Sequence, residues 1–181
     1  MYPFLRPFLN KGGAGPSLSR AESAERLLPL VERHLDLHNA YEVAIASLDD
    51  ATLADTLRGL LKRGRVELAK LNETVYSLGG TPPHGVDREM SDYDLGATDA
   101  HRVYTLDAYE RAYRDALTDE IGTNHQLRTL AIIENNRRGS EERLTALHAS
   151  TSRLPRPVDL PELPNLRPGQ MVGQHGQVHA E

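Results

Sequence analysis

Breaks in helical periodicity divide this chain into four amphipathic segments, and the lengths of the links between them leave few ways to fold it. Ser19 and Glu22 have capping-box spacing, and the first segment runs from there to about Leu48, with Leu27, Leu28, Val31, Leu35, Ile45 and Leu48 at helical intervals. Asp49, Asp50, Ala51 and Thr52 then turn the chain and offer an N-cap. The second segment extends to about Leu78 on a face of Leu57, Leu61, Leu68, Leu71 and Val75. Gly79-Gly80-Thr81-Pro82-Pro83 stops it, joining a left-handed C-cap to prolines that cannot continue a helix. The third opens at Thr98 and Asp99, uses Val103, Leu106, Tyr113 and Leu117, and ends at Gly122. Thr123 and Asn124 are the expected cap of the fourth, whose stripe is Leu127, Leu130, Ile133, Leu144 and Leu147. No segment alternates with the two-residue period of a strand, so the expected class is all-α.

The first and third links are turns, and a turn between two helices makes an antiparallel hairpin. The middle link is roughly 20 residues long and reaches about 65 Å when extended, against about 36 Å for a helix of about 24 residues. A structureless loop of that size is uncommon in a compact domain unless it has a task, and crossing from one end of a bundle to the other is such a task. Two antiparallel hairpins joined by one long crossover form the ferritin-like four-helix bundle. The expected divisions are an N-terminal docking or flexible tail at 1–20, the bundle at 21–150, and a Pro-rich extended tail at 151–181.

In such a bundle the midpoints of all four helices meet at one height. His38, Glu67, Glu110 and Glu134 each lie near a midpoint. His38 and Glu42 fall in the register Val31, Leu35, His38, Glu42, Ile45, and Glu110 falls between Leu106 and Tyr113, both core-type placements. Glu67 adjoins Leu68 and Leu71, and Glu134 adjoins Ile133. Buried carboxylates have to be neutralised, and carboxylates with a histidine do this by sharing divalent iron or manganese. The candidate metal ligands are therefore His38, Glu42, Glu67, Glu110 and Glu134. A metal-free solution is equally open, in which the guanidinium of Arg137 pairs with Glu110 or Glu67. The Glu-x-x-His pairs of ferritin-like di-iron proteins are missing, because Lys70 and Arg137 stand three residues after Glu67 and Glu134. His34 and His38, one turn apart, form a further pair with metal-ligand spacing.

Composition narrows the function classes. The 181 residues carry a formal charge of -5, with Lys and Arg interleaved among Asp and Glu, which disfavours a nucleic-acid partner. There is no cysteine, which excludes disulfides, thiolate catalysis and cysteine-bound zinc or iron-sulfur groups. No apolar run has the length of a membrane span, and the first nine residues lack the charged and apolar regions of a signal peptide, so a cytoplasmic protein is expected. Both phenylalanines, Phe4 and Phe8, lie in a repeated Pro-Phe-Leu element ahead of a glycine-rich linker. Residues 1 to 10 therefore read as a docking segment for a second copy or a protein partner. Prolines at 155, 157, 161, 164 and 168 make the C-terminal segment extended.

The run Leu71-Asn72-Glu73-Thr74-Val75-Tyr76-Ser77-Leu78-Gly79-Gly80-Thr81-Pro82, followed by Ala112-Tyr113-Arg114-Asp115-Ala116-Leu117 and Leu127-Arg128, resembles an uncharacterised bacterial family of ferritin-like four-helix-bundle proteins. In that family a Leu-Gly-Gly-x-Pro signature closes the second helix. The resemblance covers about residues 26 to 149. It implies the ferritin-like fold and, by analogy, a di-metal iron centre with an iron-handling or oxidative-stress role. Any enzyme activity would then be that of a metal-dependent oxidoreductase acting on ferrous iron, oxygen or peroxide. The other expectation is a metal-free bundle that acts as an interaction or assembly protein through its tails.

Overall fold

A computed structural model describes residues 17–86, 88–161 and 163, so the expected docking segment and most of the Pro-rich tail lie outside the described residues. The described chain is helical: α1 (Arg20–Ser47), α2 (Ala51–Leu78), α3 (Asp99–Ile121) and α4 (Leu127–Thr151), with one short 3-10 turn at Met90–Asp92. No strand occurs among the described residues, and no described helix is long and apolar enough to cross a membrane.

Helix ends follow local chemistry. Ser19 Oγ accepts from the Glu22 amide while the Glu22 carboxylate accepts from the Ser19 amide, closing the capping box at α1. The Asp50 carboxylate caps α2 through the amides of Thr52 and Leu53, and Gly79, at φ 94°, ends it in the left-handed region. The start of α4 departs from expectation. Its N-cap is Gln126, not Thr123 or Asn124. Those two residues are used elsewhere, Thr123 Oγ1 accepting from Arg26 and the Asn124 carbonyl from the Leu18 amide.

Helix α1 packs on α2 and on α3, and α4 packs on α3 and on α2. Direction follows from the bonds at each end. At one end Arg26 near the start of α1 grips Glu120 near the end of α3; at the other, the amides of Asp49 and Asp50 just past α1 donate to the Asp99 carboxylate that starts α3. Helices α1 and α3 are therefore antiparallel neighbours, and because α2 runs back along α1, α2 and α3 point the same way. The link between them returns the full length of the bundle, against α2 of 28 residues and about 42 Å. It is pinned midway: Tyr93 Oη donates to the buried Asp36 carboxylate at 2.7 Å, and Arg88 Nη1 donates to Asp36 and to Tyr109 Oη at 3.3 Å each. The long link is thus held on the α1/α3 face.

The core joins all four helices around Leu27, Leu57, Leu71, Leu106, Leu117 and Leu147, all buried. Helix α4 contributes an unusual share of polar residues to it: Thr129, Asn136, Ser140 and Arg143 are buried beside Ile133, Leu144 and Leu147. On α1 the inward face is Leu27, Val31, His34, Leu37, Tyr41 and Ala44. That is a rotation from the expected stripe, in which Leu35, Ile45 and Leu48 are only partly buried flanks.

Candidate functional site

At mid-height the bundle encloses a charged cluster. Glu110 of α3 has no solvent exposure, and Arg143 of α4 is 1% exposed. The guanidinium binds Glu110 in a two-pronged fashion, Nε to Oε2 at 3.0 Å and Nη2 to Oε1 at 2.9 Å. Its Nη1 donates to Glu67 Oε2 on α2. Tyr41 of α1 donates to Glu110 Oε2 at 3.2 Å, and Ser140 donates to Oε1 at 2.6 Å. Side chains from all four helices thus meet at this ion pair, α4 supplying both Arg143 and Ser140. Planar guanidinium and planar carboxylate match each other's geometry, which makes such pairs strong and directional.

Burial and charge act against each other here. Burial pulls on the protonated guanidinium, but Glu110 and Glu67 prevail and hold the Arg143 pKa above its ordinary value. Burial raises the Glu67 carboxyl even with Arg143 pulling it down. The Tyr41 phenol is raised well above its usual value by burial and by the Glu110 charge, so it stays a donor. Close approach of α4 to α2 depends on Gly139, where a Cβ would collide with the Glu67 carboxylate.

A second chain of hydrogen bonds lies beside the first. His34, 2% exposed, contacts Tyr113 Oη through Nδ1 at 2.9 Å, and Tyr113 donates to Asn136 Oδ1 at 3.0 Å. Burial, with help from the Arg143 and His38 charges, depresses the His34 pKa well below 6.5, leaving a neutral ring.

The five expected ligands do not converge as a group. Glu67 and Glu110 come together, with a guanidinium between them. His38 lies at the edge of the core with Nε2 3.2 Å from Glu42 Oε1, and Glu42 is half-exposed and paired with Arg65. The expectation that Glu42 occupies the apolar face is corrected by the same rotation of α1. Glu134 faces outward and pairs with Arg137, which also holds Glu141. The guanidinium expected to neutralise the cluster is therefore Arg143 and not Arg137. The histidine expected at the centre is likewise His34 and not His38.

This arrangement does not fit a metal pair. Both oxygens of Glu110 are already engaged by Arg143, Ser140 and Tyr41, and a fixed cation stands between the two carboxylates that would have to bridge the ions. Among the described residues no group of three or more His, Asp or Glu side chains has the geometry to hold a metal ion. Compared with protein-family models and with curated proteins, the chain matches none.

Proposed function

We propose that this chain is a ferritin-like bundle that works without a metal centre, as an interaction or assembly protein. The observation that carries this reading is the buried Arg143 guanidinium between Glu110 and Glu67. It supplies from α4 the positive charge that a ferritin-like site draws from its ions, and it does so permanently, since an arginine does not give up its proton. The interior is then a specific lock for the four helices, and the work of the protein falls to its surface and tails. The resemblance of residues 26 to 149 to ferritin-like bundles supports the architecture, and the pinned crossover agrees with it. Residues 1 to 10, with their repeated Pro-Phe-Leu element, are the proposed contact to a second copy or a protein partner.

Metal analysis of tag-free protein, purified and then reconstituted with ferrous iron, tests the first half. The expected result is no stoichiometric metal and an unchanged thermal midpoint; a bound metal pair would overturn the reading. Deleting residues 1 to 10 tests the second half. A changed oligomeric mass in solution is expected, and an unchanged mass removes self-assembly as the role of that segment.

A further inference from the structure

Beside the charged cluster, between α1 and α2, lies a cavity of about 10 Å³, room for one water-sized molecule; His34, His38, Tyr41, Leu60, Gly64 and Arg143 line it. The hydrogen bonds behind His34 decide what it offers. Asn136 Nδ2 donates to the Ile132 carbonyl at 3.0 Å, which fixes the amide so that its oxygen faces Tyr113. The single O–H of Tyr113 donates to that oxygen. At His34 the phenol can only accept, so Nδ1 carries the proton. In a neutral imidazole this leaves Nε2 as a bare acceptor. No described residue donates to it.

Gly64 keeps the space in front of Nε2 open. A Cβ there would lie 3.5 Å from His34 Nε2 and 3.9 Å from Arg143 Nη1, ordinary contact distances, so alanine fits. Glycine inside a helix is disfavoured relative to alanine, and nothing about the backbone of α2 at this point requires it. Arg143 lines the same notch, and its Nη1 has two N–H groups and spends one on Glu67, so a further donor stands near the bare acceptor.

We propose that this notch binds one small neutral molecule, water or another of its size, which donates a hydrogen bond to His34 Nε2 and accepts one from Arg143. A metal cation would suit the bare nitrogen but meet the guanidinium charge. An anion would suit the guanidinium but present no hydrogen to the imidazole lone pair. A molecule that is both donor and acceptor satisfies the two walls together. The site is independent of any role in assembly.

The test uses the full chain carrying ¹⁵N-labelled histidine, with Gly64→Ala and Gly64→Ser beside it and His34→Gln to assign the signal. A pyridine-type nitrogen that accepts a hydrogen bond resonates away from a free one. The wild-type Nε2 signal is expected at the hydrogen-bonded position and, in Gly64→Ala, at the free position. Helix propensity alone raises the folded-to-unfolded ratio of Gly64→Ala about 4- to 5-fold and ranks alanine above serine. The expected outcome is a smaller gain for alanine and a higher rank for serine, whose hydroxyl replaces the lost molecule. A wild-type Nε2 at the free position overturns the proposal, as does the full propensity gain in Gly64→Ala with serine below it. Where the variants fail to fold, the wild-type resonance decides.

Discussion

Removing Arg143 would strand Glu110, a carboxylate with no access to water. Breaking a buried ion pair from one side costs about 3–5 kcal/mol, because the remaining charge loses its partner and gains no solvent. Arg143→Met should therefore lower unfolding free energy by about that amount in urea denaturation. Adding Glu110→Gln removes the stranded charge while leaving an amide whose oxygen accepts from Ser140 and whose nitrogen can donate to the Tyr41 hydroxyl. The double variant should recover at least about 1 kcal/mol over Arg143→Met alone, and strictly additive losses would show that the two residues do not act as a pair. Glu110 was legible in the sequence because Leu106 and Tyr113 flank it at helical spacing. Arg143 was not, because the inward stripe of α4 is written in Thr129, Asn136 and Ser140, which no apolar periodicity marks. His34 is legible in the sequence only as the neighbour of His38 in a pair with metal-ligand spacing, and its central place is hidden for a related reason: Leu35 and Ile45 turn the expected face of α1 about one residue around the helix, although Tyr41 and Ala44 continue the true one.

Elements are where the sequence was most readable, since turn chemistry and link length act over a few residues and do not depend on which side chains meet. Asp50, Gly79 and Thr98 end or begin helices as their chemistry dictates. The length of the middle link also allows a crossover. What length could not reveal is how the crossover is held, because its anchor, Asp36, sits on α1 more than 50 residues away from Tyr93 and Arg88. Burial and the Asp36 contact raise the Tyr93 phenol, and Tyr109 is pushed up to about 12, so both keep their protons at ordinary pH, Tyr93 donating to Asp36 and Tyr109 accepting from Arg88. Among the described residues Asp36 Oδ2 has no hydrogen-bond partner, and the other oxygen carries the attachment. Tyr93→Phe should loosen residues 79–98 while leaving the helices intact. A lost bond to a carboxylate of about 1.5 kcal/mol corresponds to a roughly tenfold rise in local opening, read as faster proteolysis or amide exchange confined to the crossover. A uniform rise across α2 and α3 would mean that Tyr93 supports the whole bundle instead of this one attachment.

At the scale of the whole molecule, stability against pH reports the buried groups together. Burial holds the folded-state pKa of His34 well below the 6.5 expected of the unfolded chain, and burial lowers that of His38 too. The unfolded state therefore binds more protons once pH falls below about 6.5. The contribution of these rings is complete above that value and is lost as pH drops toward their folded pKa values, with a slope of at most about 1.4 kcal/mol per pH unit for each ring. Glu67 acts with the opposite sign, because its folded pKa is raised: the penalty of keeping it charged is relieved as it protonates. Between about pH 6.5 and 5 the two histidines together should outweigh this one carboxyl. Urea midpoints of the wild type should fall across this window, and those of His34→Gln should fall less steeply, because His38 is only half-buried and contributes the smaller part. Parallel slopes for the two proteins would mean that His34 is protonated in the folded state. Its Nδ1 would then still donate to Tyr113, but Nε2 would carry a hydrogen into the notch beside Arg143, placing two cations side by side in the middle of the bundle.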